Sequence, residues 1–238
     1  MIPEHISLNK YISETGLCSR READKLIESG RVRINDIIAR KGNRATVTDK
    51  VYIDDVLITK ETRPIYIALN KPVGIVCTTD QREPDNIIDY LGFQERIFPI
   101  GRLDKMSQGL IMLTNDGDIV NKILRAGNYH EKEYIVTVNK PIDQAFIKTM
   151  STGVPILDTV TRPCLVKQID DFSFNIILTQ GLNRQIRRMC EYLGYHVRTL
   201  NRVRIMNITL ENIAYDSWRY LTDKEVSYLM NMVKDSRK

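Results

Sequence analysis

The sequence predicts an α+β protein of two domains, a small basic one followed by a larger one with a mainly antiparallel mixed sheet and flanking helices. Three observations carry this. Strand-like and helix-like segments are interspersed without strict alternation, which argues against a doubly wound parallel sheet. Near Pro64 the pattern shifts from short helix–helix–strand signals to long apolar runs. The chain has 238 residues, room for two domains, and 42% are hydrophobic, enough to fill two cores. The expected domains are 1–62 and 63–238, with Glu61-Thr62-Arg63-Pro64 as the linker.

The first domain opens with Leu8-Asn9-Lys10-Tyr11-Ile12, the start of a short helix that Gly16 stops. Ser19 and Glu22 have capping-box spacing, in which each side chain satisfies a backbone N–H of the other. The helix they open sets Ala23, Leu26 and Ile27 on one face and ends at Gly30. Arg31 to Asn35 alternates basic and apolar residues, as a half-exposed strand does, and Val51, Ile53, Val56 and Ile58 predict further short strands. Between Ser19 and Arg44 eight Lys or Arg stand against four Asp or Glu. Arg20, Arg21 and Lys25 lie near the start of the second helix, and Arg31 and Arg33 just past its end. These five can form one patch for a phosphate backbone; a solvated charged surface is the plainer alternative.

In the second domain Ile65 to Leu69 reads as a strand broken by Asn70-Lys71-Pro72-Val73-Gly74. Further strands are expected at 109–113, 134–138, 172–178 and 203–208. Helices are expected at 118–124, 142–150, 183–193 and 223–233, the last with Thr222 and Glu225 at capping-box spacing. There is no internal repeat and no low-complexity segment.

Composition narrows the function classes. The formal net charge of +5 has the sign of a nucleic-acid binder. Cys18, Cys77, Cys164 and Cys190 form no CxxC pair, and His5, His130 and His196 are scattered, so no metal site is expected. Reduced thiols fit a cytoplasmic protein. The N-terminus has neither a basic segment nor an apolar core, so no signal peptide is expected. No apolar run has bilayer-spanning length. No apolar heptad suggests a partner subunit, and a monomer is expected.

Four separated segments carry the chemistry: Lys71-Pro72-Val73-Gly74, Arg102-Leu103-Asp104, Lys132-Glu133-Tyr134 and Gly181-Leu182-Asn183-Arg184-Gln185-Ile186-Arg187-Arg188. Asp104 precedes a short polar turn and the apolar run Leu110 to Leu113. A buried strand there holds the carboxylate at its edge, where it can act as nucleophile or base. Alone, each segment has an ordinary reading, as a turn, a packed tyrosine or a phosphate-contacting helix start. In order and spacing together, over residues 64 to about 230, they resemble the RsuA branch of the pseudouridine synthases. Lys10, Ser19-Arg20-Arg21, Gly30, Val32 and Asn35 resemble an S4 domain, a small RNA-binding module that grips structured RNA by shape and phosphate contacts.

The resemblance implies site-specific isomerisation of uridine to pseudouridine in RNA. The reaction breaks the C1′–N1 bond, turns the base and joins C1′ to C5. It involves no redox change and no external energy source, so no cofactor is expected. Asp104 stands at the family's catalytic aspartate, either adding to C6 or assisting departure of uracil through the ribose. Arg187 is implied as the guanidinium that keeps Asp104 ionised in a dry pocket through paired hydrogen bonds. Tyr134 would stack on a uridine flipped out of the RNA, its hydroxyl assisting proton removal from C5. Arg102 would contact or hold out the flipped nucleotide, and Lys71 would have a structural or phosphate role. Arg184 and Arg188 fit phosphate contacts. Arg184, Arg187, Arg188, Arg198, Arg202 and Arg204 face only Glu191 across their stretch and are expected to line the RNA cleft. In the first domain the expected RNA contacts are Lys10, Arg20, Arg21, Lys25, Arg31 and Arg33.

Residues 130–138 and 183–194 carry a likeness to a large-subunit enzyme of the branch. This implies a 23S ribosomal RNA stem-loop as partner, with a tyrosine tRNA as a second; a small-subunit (16S) enzyme is the alternative. Two other classes compete. Lys105-Met106-Ser107-Gln108 resembles the ATP-binding KMSKS loop of aminoacyl-tRNA synthetases, but the HxGH signature of those enzymes is absent. A non-catalytic S4-type RNA-binding or ribosome-assembly factor would not need Asp104, Tyr134 and Arg187 together.

Overall fold

The computed structural model describes residues 5–59 and 63–236; residues 1–4 and, in the expected linker, Glu61 and Thr62 lie outside them. The chain divides into two compact units. One holds the residues up to Pro64 together with Gln94–Arg96, the other Ile65–Phe93 and the residues from Ile97 onward.

The smaller unit runs β1 (Ile6–Ser7), α1 (Leu8–Glu14), α2 (Arg20–Glu28), β2 (Val32–Ile34), β3 (Ile37–Ile38), β4 (Arg44–Ala45), β5 (Val51–Ile53) and β6 (Val56–Ile58). The capping box forms: Glu22 N donates to Ser19 Oγ at 3.2 Å and Ser19 N to Glu22 Oε2 at 2.7 Å. Ala23 and Ile27 of α2 join Leu8, Tyr11 and Ile12 of α1 in one core with Val32 and Val51. Above it lies an antiparallel sheet in the order β3-β2-β5-β6.

Of the five cations expected in one patch, Arg31 and Arg33 are paired with acids. Asp54 and Asp55 take the left-handed conformation in the tight turn between β5 and β6. This turn brings their carboxylates onto β2, where Arg31 pairs with Asp54 and Arg33 with Asp55. The Arg33 guanidinium also lies 4.4 Å from the centre of the Tyr52 ring. Lys10 is paired with Glu14 at 3.4 Å. Arg20, Arg21 and Lys25 are exposed.

The larger unit runs β7 (Tyr66–Lys71), α3 (Ile87–Leu91), β8 (Phe98–Ile100), β9 (Gln108–Thr114), α4 (Gly117–Leu124), β10 (Lys132–Val138) and α5 (Gln144–Thr152). It continues with β11 (Pro155–Ile156), β12 (Thr159–Val160), β13 (Leu165–Gln168), β14 (Ser173–Leu178), α6 (Gln185–Tyr192), β15 (Val197–Ile205), β16 (Ile208–Thr209), β17 (Trp218–Tyr220) and α7 (Asp223–Met232). One sheet has the order β13-β14-β10-β15-β9-β7-β17, with β16 on β15 and β8 on β9. Its pairings are antiparallel except where β15 meets β9, which run parallel over Asn201 opposite Gln108 and Arg202 opposite Gly109. Beyond that step the same edge of β9 pairs with β8, at Met112 to Thr114.

The strands alternate as a two-faced sheet requires. Ala68, Leu110 and Met112 face a core under α4 and α7, while Ile67, Leu69, Ile111 and Leu113 face another under α3. Val136, Phe174 and Ile176 form a third core with Phe146 and Met150 of α5 and Ile186 and Met189 of α6. The strand expected at 203–208 is in fact β15, which begins at Val197, followed by a turn at Met206 (φ +52) into β16. Its first half, dense in arginine, concealed a strand. Helix α3 was not anticipated. Asn86 Oδ1 caps it by accepting from Ile88 N and Asp89 N, and Gly92 in the left-handed region stops it after five residues, too few for a periodic signal. No helix among the described residues is long and apolar enough to cross a membrane.

The parallel step requires glycine. Gly109 has φ +103, and a Cβ there would lie 2.2 Å from Asn201 Oδ1 and 2.4 Å from the Arg202 carbonyl oxygen. Gly109→Ala should therefore destabilise the fold by about 2–4 kcal/mol in urea unfolding, combining backbone strain with forced separation of two central strands.

Candidate active site

Asp104 opens a tight turn between β8 and β9. The Ser107 N–H donates to the Asp104 carbonyl at 2.9 Å, closing the turn, and β9 starts at the next residue. Leu103 anchors the entry: its side chain is buried and its N–H donates to Cys77 Sγ at 3.4 Å. With Leu103 turned inward, its neighbours Arg102 and Asp104 both face the cavity described below. The Asp104 side chain is 36% exposed, so the carboxylate is open to the cavity rather than enclosed in a dry pocket as the sequence suggested.

Arg187 comes from α6, which buries Gln185, Ile186, Arg187, Met189 and Cys190. Its Nε lies 3.7 Å from Asp104 Oδ2, an ion pair, while Nη2 donates to the Met106 carbonyl at 3.0 Å and to Ser107 Oγ at 3.1 Å. The expected paired hydrogen bonds to the carboxylate are thus replaced: the guanidinium spends its forked donors on the turn and faces Asp104 with Nε. Burial lowers the Arg187 pKa, and the Asp104 charge opposes that shift. Arg184 Nη1 is 4.0 Å from the same Oδ2. Arg184 holds a left-handed conformation (φ +50) at the start of α6, a strained position that directs the chain into the helix. Arg188 is turned back on the loop, donating to the Asn183 carbonyl and Oδ1.

These groups line a cavity of about 1040 Å³ in the larger unit. Arg102, Lys105, Lys132, Arg184, Arg187 and Arg202 contribute six cations to its lining and Asp104 the one carboxylate. Such a site attracts a polyanion and leaves a single anionic group to act on it. Tyr134 also lines it, from β10, and its ring packs between the core under α3 and the core under α5 and α6.

One expectation is narrowed here, from a structural or phosphate role for Lys71 to the structural one, and another, for Arg204, is corrected. Lys71 is fully buried, with Nζ donating to the carbonyls of Pro72 at 2.8 Å and Ile75 at 2.9 Å, so it staples its own turn instead of meeting a phosphate. Burial pushes its pKa down. Arg204 does not line the cleft: its Nε pairs with Glu133 at 2.7 Å and its Nη2 with Glu131 at 3.0 Å, acids supplied by the neighbouring strand. Arg202, expected in the cleft, does line the cavity, and so do Lys132 and Ser107, to which the sequence assigned no role of their own. Arg202 is 3% exposed, donates from Nε to the Leu110 carbonyl at 2.6 Å, and lies two residues from buried Leu200, a strand spacing that could have assigned it inward. Lys132 Nζ donates to the His130 carbonyl at 3.2 Å.

Burial, and then the charge of Arg202, push the Lys132 pKa down to about 8. The unfolded chain, with an ordinary lysine near 10.4, binds this proton more tightly. Stability therefore rises with pH between about 8 and 10, by an amount on the order of 2–3 kcal/mol for this one group. Lys132→Met should flatten that part of the urea-unfolding profile relative to the unsubstituted protein; parallel profiles would show that Lys132 titrates normally.

The chain matches the family model described as RNA pseudouridylate synthase over residues 65–192, and the S4 domain model over residues 7–51. It is 56% identical over 245 residues to the dual-specificity RNA pseudouridine synthase RluF of Escherichia coli (strain K12), covering 99% of this chain and 82% of that protein. It is 29% identical to the ribosomal large subunit pseudouridine synthase B of Bacillus subtilis (strain 168), covering 93% of this chain and 94% of that one. A crystal structure of a pseudouridylate synthase matches with a TM-score of 0.69 at 30% identity, over 94% of this chain and 99% of that chain. With a catalytic-domain match over the segment that carries the cavity, and close relatives along nearly its whole length, the chain belongs to the RNA pseudouridylate synthase family.

Proposed function

We propose that this enzyme isomerises a defined uridine in a 23S ribosomal RNA stem-loop, with a tyrosine tRNA as second substrate, and that Asp104 is its nucleophile. The observation that carries the assignment of Asp104 is the solitary carboxylate among six cationic residues in one cavity. The dual-specificity relative and the large-subunit relative support the choice of targets. The protein acts as a monomer in the cytoplasm, where those RNAs are made and used.

The division of labour follows the charges. Exposed Arg20, Arg21 and Lys25 of α2 bind phosphates of the stem, and the cations of the cavity draw in the target strand. The uridine leaves its stack and meets Asp104, with Tyr134 as the ring against which the base rests. Arg187 holds the Asp104 turn by its carbonyl and hydroxyl bonds and balances the carboxylate charge. When the C1′–N1 bond breaks, the base turns and C5 bonds to C1′, the C5 proton is lost, and N1 gains one, so the product is an isomer of the starting nucleotide. Arg102 and Arg184 stand where the phosphates flanking the target would pass, and Arg188 stiffens the loop that carries Arg184.

A map of pseudouridines in ribosomal RNA and tRNA of cells carrying either the unsubstituted enzyme or Asp104→Asn tests the reading. Pseudouridine is expected at the target only with Asp104 present, while gel-shift affinity for the RNA persists in the variant. Full modification by Asp104→Asn would remove Asp104 from the chemistry. A second measurement addresses α2: replacing Arg20, Arg21 and Lys25 together by Ala should reduce the slope of log affinity against log salt by about 2 to 3, one counterion per lost contact. An unaltered slope would exclude that face of α2 from the RNA interface.

A further inference from the structure

One step of the isomerisation still lacks a group to perform it. Once C5 has joined C1′, it carries both the ribose and its own hydrogen, and that hydrogen must leave as a proton. The acceptor has to line the cavity, stand near the ring on which the base rests, and be able to exist uncharged. Asp104 is engaged with the nucleotide itself. Of the six cations in the lining, Arg102, Arg184, Arg187 and Arg202 are guanidiniums, which do not give up their protons in proteins. Lys105 is held outside by Asp85 at 2.7 Å. That leaves Lys132.

Lys132 opens β10, and Tyr134 is the next residue on the same face of the strand. β10 pairs with β14 in unbroken register from Lys132 to Thr137, so the alternation holds. The residues opposite Lys132 and Tyr134 are Leu178 and Ile176, both in the core under α5 and α6. The two side chains thus stand one strand repeat apart, roughly 7 Å, and both line the cavity. On the other side of β10, β15 carries a bulge: Arg204 lies opposite Glu133, and Arg202 opposite Tyr134. The extra residue turns Arg202 to the face of Lys132 and Tyr134 and sends Arg204 to the face of Glu133. Lys132 therefore has a cation for a neighbour and no acid. It is 9% exposed, forms no ion pair among the described residues, and bonds through Nζ to the His130 carbonyl at 3.2 Å. The titratable and charged groups that act on it are His130, just ahead of it in the chain, and Arg202 from β15; β14 presents only Leu178. With its pKa pushed down to about 8, the free amine is within reach near neutral pH. The other buried lysine, Lys71, spends Nζ on two carbonyls and lies outside the lining.

We propose that Lys132 is a catalytic base that removes the C5 proton from the rejoined nucleotide. The inference rests on the reading of the cavity as the uridine site and adds to it the fate of the proton. In the rejoined base the ring holds a C6=N1 double bond, and C5 lies next to the C4 carbonyl, which makes its hydrogen acidic. The amine nitrogen of Lys132 takes that proton. The C5–H electron pair closes C5=C6, and the C6=N1 pair moves onto N1, which binds a proton. The ammonium then releases its proton to water, and the amine is restored. One proton leaves carbon and one joins nitrogen, so nothing is oxidised or reduced.

The test uses the full-length enzyme and an RNA stem-loop whose mapped uridine carries either hydrogen or deuterium at C5. Lys132→Met removes the amine and keeps a side chain of similar length; Lys132→Arg keeps the charge and cannot act as a base. Both should retain gel-shift affinity for the RNA and lower kcat by about 10²- to 10⁴-fold. In both, the deuterated RNA should react severalfold more slowly than the protiated one, because loss of the C5 proton has become limiting. Full activity of Lys132→Met, recovery of the rate in Lys132→Arg, or equal rates on the two RNAs in the slowed variants would overturn the base. The unsubstituted enzyme gives a measurement that needs no variant to fold. Its preference for the protiated RNA should grow as the pH is lowered from about 9 to about 6 and the amine takes up its proton; a preference that stays constant over that range would also overturn the inference. Failure of the unsubstituted enzyme to form pseudouridine in the protiated RNA would instead refute the proposed function, so the two ideas fail separately.

Discussion

Two antiparallel half-sheets of the larger unit are joined by a parallel contact only two residue pairs long, and the site depends on that contact. β9 brings the Asp104 turn, because the strand starts one residue after the turn closes. β15 follows α6 directly and so fixes the helix that carries Arg184 and Arg187. The close approach of β9 and β15 at Gly109, sealed by the Arg202 Nε bond to the Leu110 carbonyl, sets how far Asp104 lies from Arg187. A bulkier residue at 109 would move one half against the other and separate the ion pair without touching either member.

The electrostatics of the cavity follow from the same arrangement. Cations arrive from both halves: Arg102 and Lys105 beside β9, Lys132 from β10, Arg202 from β15, and Arg184 and Arg187 from the start of α6. Burial first, and then repulsion from a neighbouring cation, lowers the pKa of Lys132 and of Arg187. Nucleic acid supplies the negative charge that relieves it. Arg187 has a double task in this field. It balances Asp104, and its stronger hydrogen bonds go to the turn that presents Asp104, so the carboxylate keeps its orientation while remaining accessible.

Much of this was legible in the sequence. The α+β class followed from irregular interspersion of strand and helix signals. The capping boxes at Ser19 and Thr222 form as their spacing required. The site segments could be read because their order and spacing together resemble the family's, although each alone has an ordinary reading. What failed to show had physical causes. Helix α3 rests on a cap by Asn86 and a glycine stop, with only five residues between them. The first part of β15 was masked by Arg198 and Arg202, and the partners of Arg204, Glu131 and Glu133, lie about 70 residues earlier and meet it only across the sheet. The pairing of Arg31 and Arg33 with Asp54 and Asp55 likewise required the β5–β6 turn to be known. Lys71 looked available for a phosphate because one sequence cannot distinguish a lysine that reaches out from one whose head returns to its own turn.

The parallel step has a kinetic side. Hairpins such as β5–β6 and β15–β16 join near neighbours in the chain, whereas the bond from Arg202 to Leu110 spans 92 residues. Bringing such distant segments together costs loop-closure entropy that local hairpins avoid, so this junction belongs to the late stages of assembly. A nascent or half-folded chain would thus hold Asp104 and Arg187 on disconnected pieces.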